Sequence, residues 1–304
     1  MNQQIKENII LPAWNTIKND IKIKKYYFIP GLFSIIILTA LLVYQTIYTY
    51  VVIFGNKDKA LQIILDLFHS QFALEIIIGS IIFVLVYMVI TPMFEGGLIK
   101  YLDQKNKCQS EDEYVSFGNA IGLGMTRFLP LFEYNNIFSE FKLISILNAY
   151  LFTIRFVGAE YISYVSYLFL VVFFFSVILN VLFAYSKYEI MLKNKNAFQA
   201  AGASAKLAIV TLFTTTRLYL LMFFLNFRVI LNFIIFLSFP LVMVMALGFI
   251  TTKIYLFVAI GILSILFIIF ILILGYVTTV LEIFKTAIWY YAYKEALKKA
   301  EEDE

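Results

Sequence analysis

The chain has 304 residues, 62% of them hydrophobic, 18% aromatic and only 14% charged, against about 25% charged in a soluble domain. One cysteine, Cys108, excludes an internal disulfide framework and a multi-cysteine metal site, and one histidine, His69, excludes histidine dyads and most metal centres. The net charge of +4 is informative by position rather than as a total. Apolar runs of about 20 residues recur, enough to cross a hydrocarbon core of about 30 Å, so the sequence reads as a polytopic all-α membrane protein.

Residues 1–27 are polar and basic. Their polar region is too long, and the apolar run behind it too extended, for a cleavable signal, so the first span is expected to act as an uncleaved anchor. Pro12 fits the first turn of a helix. Ala13, Trp14, Ile17 and Ile21 follow at helical spacing with Asn15, Lys18, Asn19 and Lys22 between them. This predicts an interfacial amphipathic helix, its apolar face in the headgroups and its lysines toward anionic lipid; a solvated tail is the alternative.

The first span is expected over 27–54, with tyrosines at both ends suiting the two interfaces. The second covers 72–97 and leaves the membrane through Pro92, Glu95, Gly96 and Gly97. A charged loop follows, in which Ser110 and Glu113 have capping-box spacing. Tyr114, Phe117, Ile121 and Met125 then form a helical stripe beside Gly118 and Gly122, which permit close packing. The third span is expected over 128–157 with an unusually polar first half, and the fourth over 161–185.

A third amphipathic stretch begins near Asn196, with Gln199 three residues on and small residues from Ala200 to Ala205. The fifth span is expected over 218–247, with Asn226, Arg228 and Asn232 inside, and the sixth over 254–284. Trp289, Tyr290, Tyr291 and Tyr293 then mark an interface.

The segments 1–27, 100–128, 186–217 and 285–304 carry 18 of the 24 Lys and Arg residues. By the positive-inside rule both termini and the two long loops face the cytoplasm, which gives six spans in a bacterial-type inner membrane. An amphipathic segment followed by a pair of spans recurs three times, over about 8–99, 110–195 and 196–293. All units share one orientation, so the pattern is that of parallel repeats within a single membrane domain.

Charges inside spans cost at least ~2.5–3.5 kcal/mol on insertion scales and so mark candidate sites. Arg228 lies eleven residues past Arg217, about 16 Å along a helix. Glu140 lies thirteen past Arg127, about 20 Å by the same rise, so the two can meet. Glu133 is a shallower partner, and Lys142 can neutralise Glu140.

The expected polar site between spans three and five comprises Glu133, Asn135, Asn136, Glu140, Lys142, Asn226, Arg228 and Asn232, holding a small-molecule or lipid ligand. The same residues also fit an ion-pair cluster that only fixes helix packing, or a third span that begins deeper. Glu95, Arg127, Arg217 and Glu282 read as interfacial. All four arginines sit in or at the ends of spans three and five.

The sequence holds no HExxH, no GxxxxGK[ST] and no CxxC, and no histidine lies in a span to activate Ser204. Neither a cofactor nor hydrolytic catalysis is implied. Nucleic acid is not an expected partner, since topology and anionic lipid headgroups account for the cytoplasmic lysines. Transport or export through the polar site is one reading. A non-catalytic organiser that binds lipid or a partner through its amphipathic layer is the other.

On the glycine-bearing exit FEGGL (Phe94–Leu98) and the small-residue segment AFQAAGASAKL (Ala197–Leu207), the layout resembles uncharacterised six-helix bacterial integral membrane proteins. These include the membrane domain fused to some glycerophosphodiester phosphodiesterases. The resemblance implies the six-helix fold and transfers no catalytic residues; no soluble phosphodiesterase domain is present in these 304 residues.

Overall fold

The computed structural model describes residues 3–18, 20–53, 69–107, 117–138, 141, 143–157, 159–226 and 253–302. Helix accounts for 94% of them and no strand occurs among them, so the protein is all-α. Among the described residues four stretches are long and apolar enough to cross a bilayer: Ile21–Leu41, Ala73–Lys107, Ile162–Lys193 and Ser264–Glu302. Their surfaces are apolar as well. In the most apolar window of Ala73–Lys107 no residue is buried, and Leu74, Ile81, Ile82 and Leu85 all point outward. Such a continuous apolar surface is untenable in water and expected against lipid, so this is an integral membrane protein.

In chain order the helices are α1 (Leu11–Lys18), α2 (Ile21–Ile53), α3 (Ala73–Lys107), α4 (Phe117–Met125), α5 (Phe128–Phe138), α6 (Leu143–Val157), α7 (Ile162–Leu182), α8 (Ser186–Lys193), α9 (Ala197–Val210), α10 (Leu212–Asn226) and α11 (Lys253–Glu302). A helical turn at Gln3–Ile5 and a π-turn at Lys6–Ile10 lead into α1. The helical run therefore starts ahead of Pro12 rather than at it. Proline has no N–H and its ring collides with the carbonyl four residues back. The wider π-turn, closed by Leu11 N–H donating to Lys6 O, precedes it directly.

The expected single third span is two helices, α5 of 11 residues and α6 of 15, each short of the ~20 needed to cross. The division does not fall at Pro130, which sits in the first turn of α5, where a missing N–H leaves no bond unmade. It lies between Phe138 and Leu143, where the described residue is Phe141. Two polar side chains of α7 meet it: Ser176 Oγ and Asn180 Nδ2 both donate to Phe141 O, the latter at 2.6 Å. Residues 139, 140 and 142 and most of the expected fifth span (227–247) lie outside the described residues.

The chain divides into two compact units, one of Met1–Ile23, Pro92–Ile230 and Ile283–Glu304, the other of Lys24–Thr91 and Leu231–Glu282. In the second unit α2 and α11 approach closely. A Cβ on Gly31 would lie 2.1 Å from Thr279 Oγ1 and 3.2 Å from Gly275 O. Ile35 packs there with Leu38, Phe267, Ile271 and Leu274, and Phe33 stacks on Phe83 at 4.9 Å. Small residues at a helix crossing bring backbones within van der Waals contact, the main attraction between helices in lipid.

The first unit packs by a different logic. Ile5, Ile9, Ala13 and Ile17, one every four residues, are buried and face protein. Trp14 stays half-exposed, edge-on to Phe284 at 5.7 Å, and Ile21 is exposed. The expected stripe Ala13–Trp14–Ile17–Ile21 is thus rotated, because burial in the protein selects the four-residue row that begins at Ile5. In α4 the close packing expected at Gly122 moves to another glycine in the same way. Gly122 faces open space, whereas a Cβ on Gly124 would lie 2.0 Å from Met93 O and 2.8 Å from Gly97 N. The close approach of α4 to α3 is made by Gly124.

α9 starts as its sequence predicts: Asn196 is extended and its N–H donates to Gln199 Oε1 at 3.4 Å. It buries Ala197, Ala200, Ala201, Ser204, Leu207 and Ala208. Ser204 is a joint between helices. Its Oγ accepts from Tyr185 N–H at 2.9 Å and donates to Leu182 O at 2.8 Å, satisfying backbone groups freed at the turn between α7 and α8.

Candidate functional site

The described polar chemistry gathers at the C-terminal parts of α3 and α11 and the first turn of α8, all in the first unit. Three carboxylates tie these ends pairwise. Glu95 of α3 accepts from Lys187 of α8 at 2.5 Å. Asp103 of α3 accepts from Tyr290 Oη of α11 at 3.0 Å and pairs with Lys294 at 3.3 Å and Lys107 at 2.5 Å. Glu189 of α8 accepts from Tyr293 Oη of α11 at 2.9 Å and pairs with Lys195 at 2.6 Å. The result is a closed triangle of helix ends.

Aromatic rings fill it. Tyr188 stacks on Tyr293 at 5.6 Å and donates to Thr286 O at 2.8 Å, and Tyr185 meets Trp289 edge-on at 5.9 Å. Tyr290 and Tyr293, expected at a lipid interface, are fully buried in protein. Their hydroxyls face carboxylates, a partner no bilayer interior supplies.

A fourth carboxylate docks the N-terminal helix on this collar. Asp20, whose side chain is 7% exposed, accepts from Lys105 Nζ and from Tyr101 Oη, each at 2.6 Å, and from Ile23 N–H at 3.1 Å. Lys105 also donates to Thr16 O at 3.2 Å, and Thr16 Oγ1 bonds Tyr291 Oη at 2.8 Å. Burial pushes the Asp20 carboxyl up, but the bonds from Lys105, Tyr101 and Ile23 outweigh it and hold the group below the usual carboxylate range. Asp20, Asp103 and Glu189 thus share one device, a carboxylate held by a lysine and a tyrosine hydroxyl. Such groups are costly to bury alone and stable only when paired and hydrogen-bonded.

The structure distributes the expected site residues as follows. Asn135 of α5 donates from Nδ2 to Glu95 Oε2 at 3.3 Å, which puts an expected intramembrane residue level with an expected interfacial one. Its buried Oδ1 has no hydrogen-bond partner among the described residues. Asn136 donates to its own helix at Phe132 O, 2.9 Å away. Glu133 is exposed. Asn226 Oδ1 accepts from Lys285 at 2.8 Å.

Arg127 Nε donates to Oδ1 of Asn194 at 3.0 Å; Asn194 closes α8 in the left-handed conformation (φ 57°). Arg217 is exposed on α10. Glu282 is half-exposed in the second unit. Glu140, Lys142, Arg228 and Asn232, and with them the expected Arg228–Glu140 pair, lie outside the described residues.

Sequence reasoning missed Asp20, Tyr101, Asp103, Lys187 and Glu189. A signal for them exists. Lys100-Tyr101-Leu102-Asp103 is followed by Lys105-Asn106-Lys107, and Lys187-Tyr188-Glu189 by Lys193-Asn194-Lys195. A similar polar string thus follows the second and fourth expected spans. Among the described residues no group of His, Cys, Asp and Glu is arranged to hold a metal ion.

No family model, curated protein or solved structure matches this chain.

Proposed function

We propose that the protein is a non-catalytic membrane organiser, an integral membrane chain that presents a rigid collar and its interfacial helices to lipid headgroups or to a partner at one membrane face. The observation that carries this is the closed Glu95–Lys187, Asp103–Tyr290 and Glu189–Tyr293 triangle. Three helix ends tied by buried charged contacts hold one arrangement, because slipping any end strands a carboxylate. Helix ends within hydrogen-bonding distance also leave the bilayer on one side. This supports the finer reading of six spans in three parallel repeats, with both termini on the cytoplasmic face of an inner membrane. The likeness to six-helix bacterial membrane families belongs to the same proposal.

The test is reconstitution of the full chain into liposomes of phosphatidylcholine, with and without phosphatidylglycerol. An organiser retains anionic lipid through purification and passes no solute. Protein-dependent flux of any member of a charged and neutral solute panel would overturn the reading. Transport or export is the second reading, and the unpartnered buried Oδ1 of Asn135 beside the Glu95–Lys187 pair favours it, since a solute donor fits there. In that case Asn135→Ala abolishes the flux while leaving the collar folded.

A further inference from the structure

Among the exposed apolar surfaces of the first unit, the one at the junction of α9 and α10 is set apart by its geometry. α9 and α10 meet at a bend of 104°. Because this is close to a right angle, a helix following the bilayer normal is preceded by one lying near its plane. The bend is held from inside: Tyr185 Oη bonds Thr215 Oγ1 at 2.8 Å, and Thr215 Oγ1 bonds Thr211 Oγ1 at 3.1 Å.

On the outside the elbow is apolar, with Ile209, Val210, Leu212 and Phe213 all exposed. Phe213 reaches 82% and Phe198, at the start of α9, 70%. At 3.6 residues per turn, Phe198, Gly202 and Ile209 fall within about 40° of one another around α9, and a Cβ on Gly202 meets nothing within 4 Å. Gln199 and Lys206, also exposed, lie about 60–80° from the middle of that ridge. The outward side of α9 therefore has an apolar edge and a polar edge, the pattern of a helix lying in a bilayer surface.

α10 continues this logic. Phe213, Arg217, Leu220 and Phe224 form its exposed stripe, while Thr215, Leu218 and Met222 face inward. An arginine between two phenylalanines and a leucine is out of place in hydrocarbon unless its head returns to the interface. Arg217 lies five residues past Leu212, about 7–8 Å along the helix, which is within the reach of its own side chain.

We propose that the α9–α10 elbow is a lipid-insertion site. The Phe198–Ile209 ridge and Phe213 enter the acyl region of one leaflet, Gln199 and Lys206 stay at the water side, and Arg217 holds the phosphate of an anionic phospholipid. This rests on the organiser reading and names its partner as the bilayer surface itself. Guanidinium suits phosphate because it is always charged and presents a planar fork of donors.

The test uses the full chain in nanodiscs, with Cys108→Ser as background and single cysteines replacing Phe198, Gln199, Lys206, Ile209 or Phe213. A nitroxide on each reports collision with oxygen, which concentrates in acyl chains, and with a nickel chelate, which stays in water. The proposal expects oxygen to dominate at 198, 209 and 213 and nickel at 199 and 206. Equal accessibility of the two edges, or a nickel-accessible label at 213, overturns it.

Arg217→Gln should lower the phosphatidylglycerol retained, read by native mass spectrometry, by about tenfold, and Arg217→Lys should restore part of it. Undiminished retention in Arg217→Gln removes the phosphate contact. Displacement of the lipid by millimolar inorganic phosphate would identify a free-anion site instead and equally overturn it. The failures are separable: solute flux with the expected depth pattern sinks the organiser reading alone, while a water-facing ridge without flux sinks the elbow alone.

Discussion

Glu189 gives the most decisive single test of the collar. Its side chain is 3% exposed and is held by Tyr293 Oη at 2.9 Å and Lys195 Nζ at 2.6 Å. Tyr293→Phe removes one hydroxyl and leaves the ring, which keeps its stack on Tyr188. The lost bond is to a charged acceptor and cannot be replaced by water at this depth, so it should cost about 1.5–3 kcal/mol. Glu189→Gln removes the charge but keeps the shape. Lys195, exposed enough to reach solvent, tolerates the loss, so the cost should be about 1–3 kcal/mol. The double variant should cost less than the two together by about 1 kcal/mol or more, the signature of a shared contact.

The readout is built in. Both tryptophans of the chain, Trp14 and Trp289, belong to the first unit and pack on Phe284 and Tyr185, so their emission during denaturation by mixed micelles follows the collar itself. Strict additivity, or a single variant as stable as the parent, would refute the claim that Tyr293 and Glu189 hold α8 to α11.

Other outcomes follow from the same geometry. Gly124→Ala should destabilise the first unit by more than 1 kcal/mol, because its Cβ would meet backbone at 2.0 and 2.8 Å; Gly122→Ala, in open space two residues away, should be neutral or gain about 0.4–1 kcal/mol. In the second unit Gly31→Ala should separate α2 from α11, seen as lost cross-linking between cysteines placed at Leu38 and Ile271. The Asp20 carboxyl titrates below its unfolded value of about 3.9, so its contribution is present above that pH and is lost as pH falls through the lower folded value. Trp14 emission should therefore be flat from neutral pH down to about 4 and change only below it; Asp20→Asn should remove that acid step, and a midpoint above pH 5 would contradict the pairing with Lys105 and Tyr101.

The helical class and the membrane setting were legible because both are written locally. An apolar run of sufficient length inserts whatever its neighbours do, and backbone groups in lipid must pair within their own segment. The start of α9 at Asn196 was legible for the same reason, as a cap is a contact over three residues. The third span was not, since its described residues form two helices, and between them Ser176 and Asn180 of α7 meet the Phe141 carbonyl. Nor was the face of the N-terminal helix, because lipid and protein reward the same apolar residues and only the packed neighbours decide between the rows.

The sequence by itself determined that the chain is an all-α membrane protein and that its lysines and tyrosines gather at the ends of its apolar runs. The tertiary structure alone decided which of them meet. Tyr101 finds Asp20 across 81 positions, Lys187 finds Glu95 across 92, and Tyr290 finds Asp103 across 187. Insertion energy depends on each segment's own composition, whereas a buried carboxylate's partner depends on how separate helices are rotated and shifted against one another, which no local periodicity encodes.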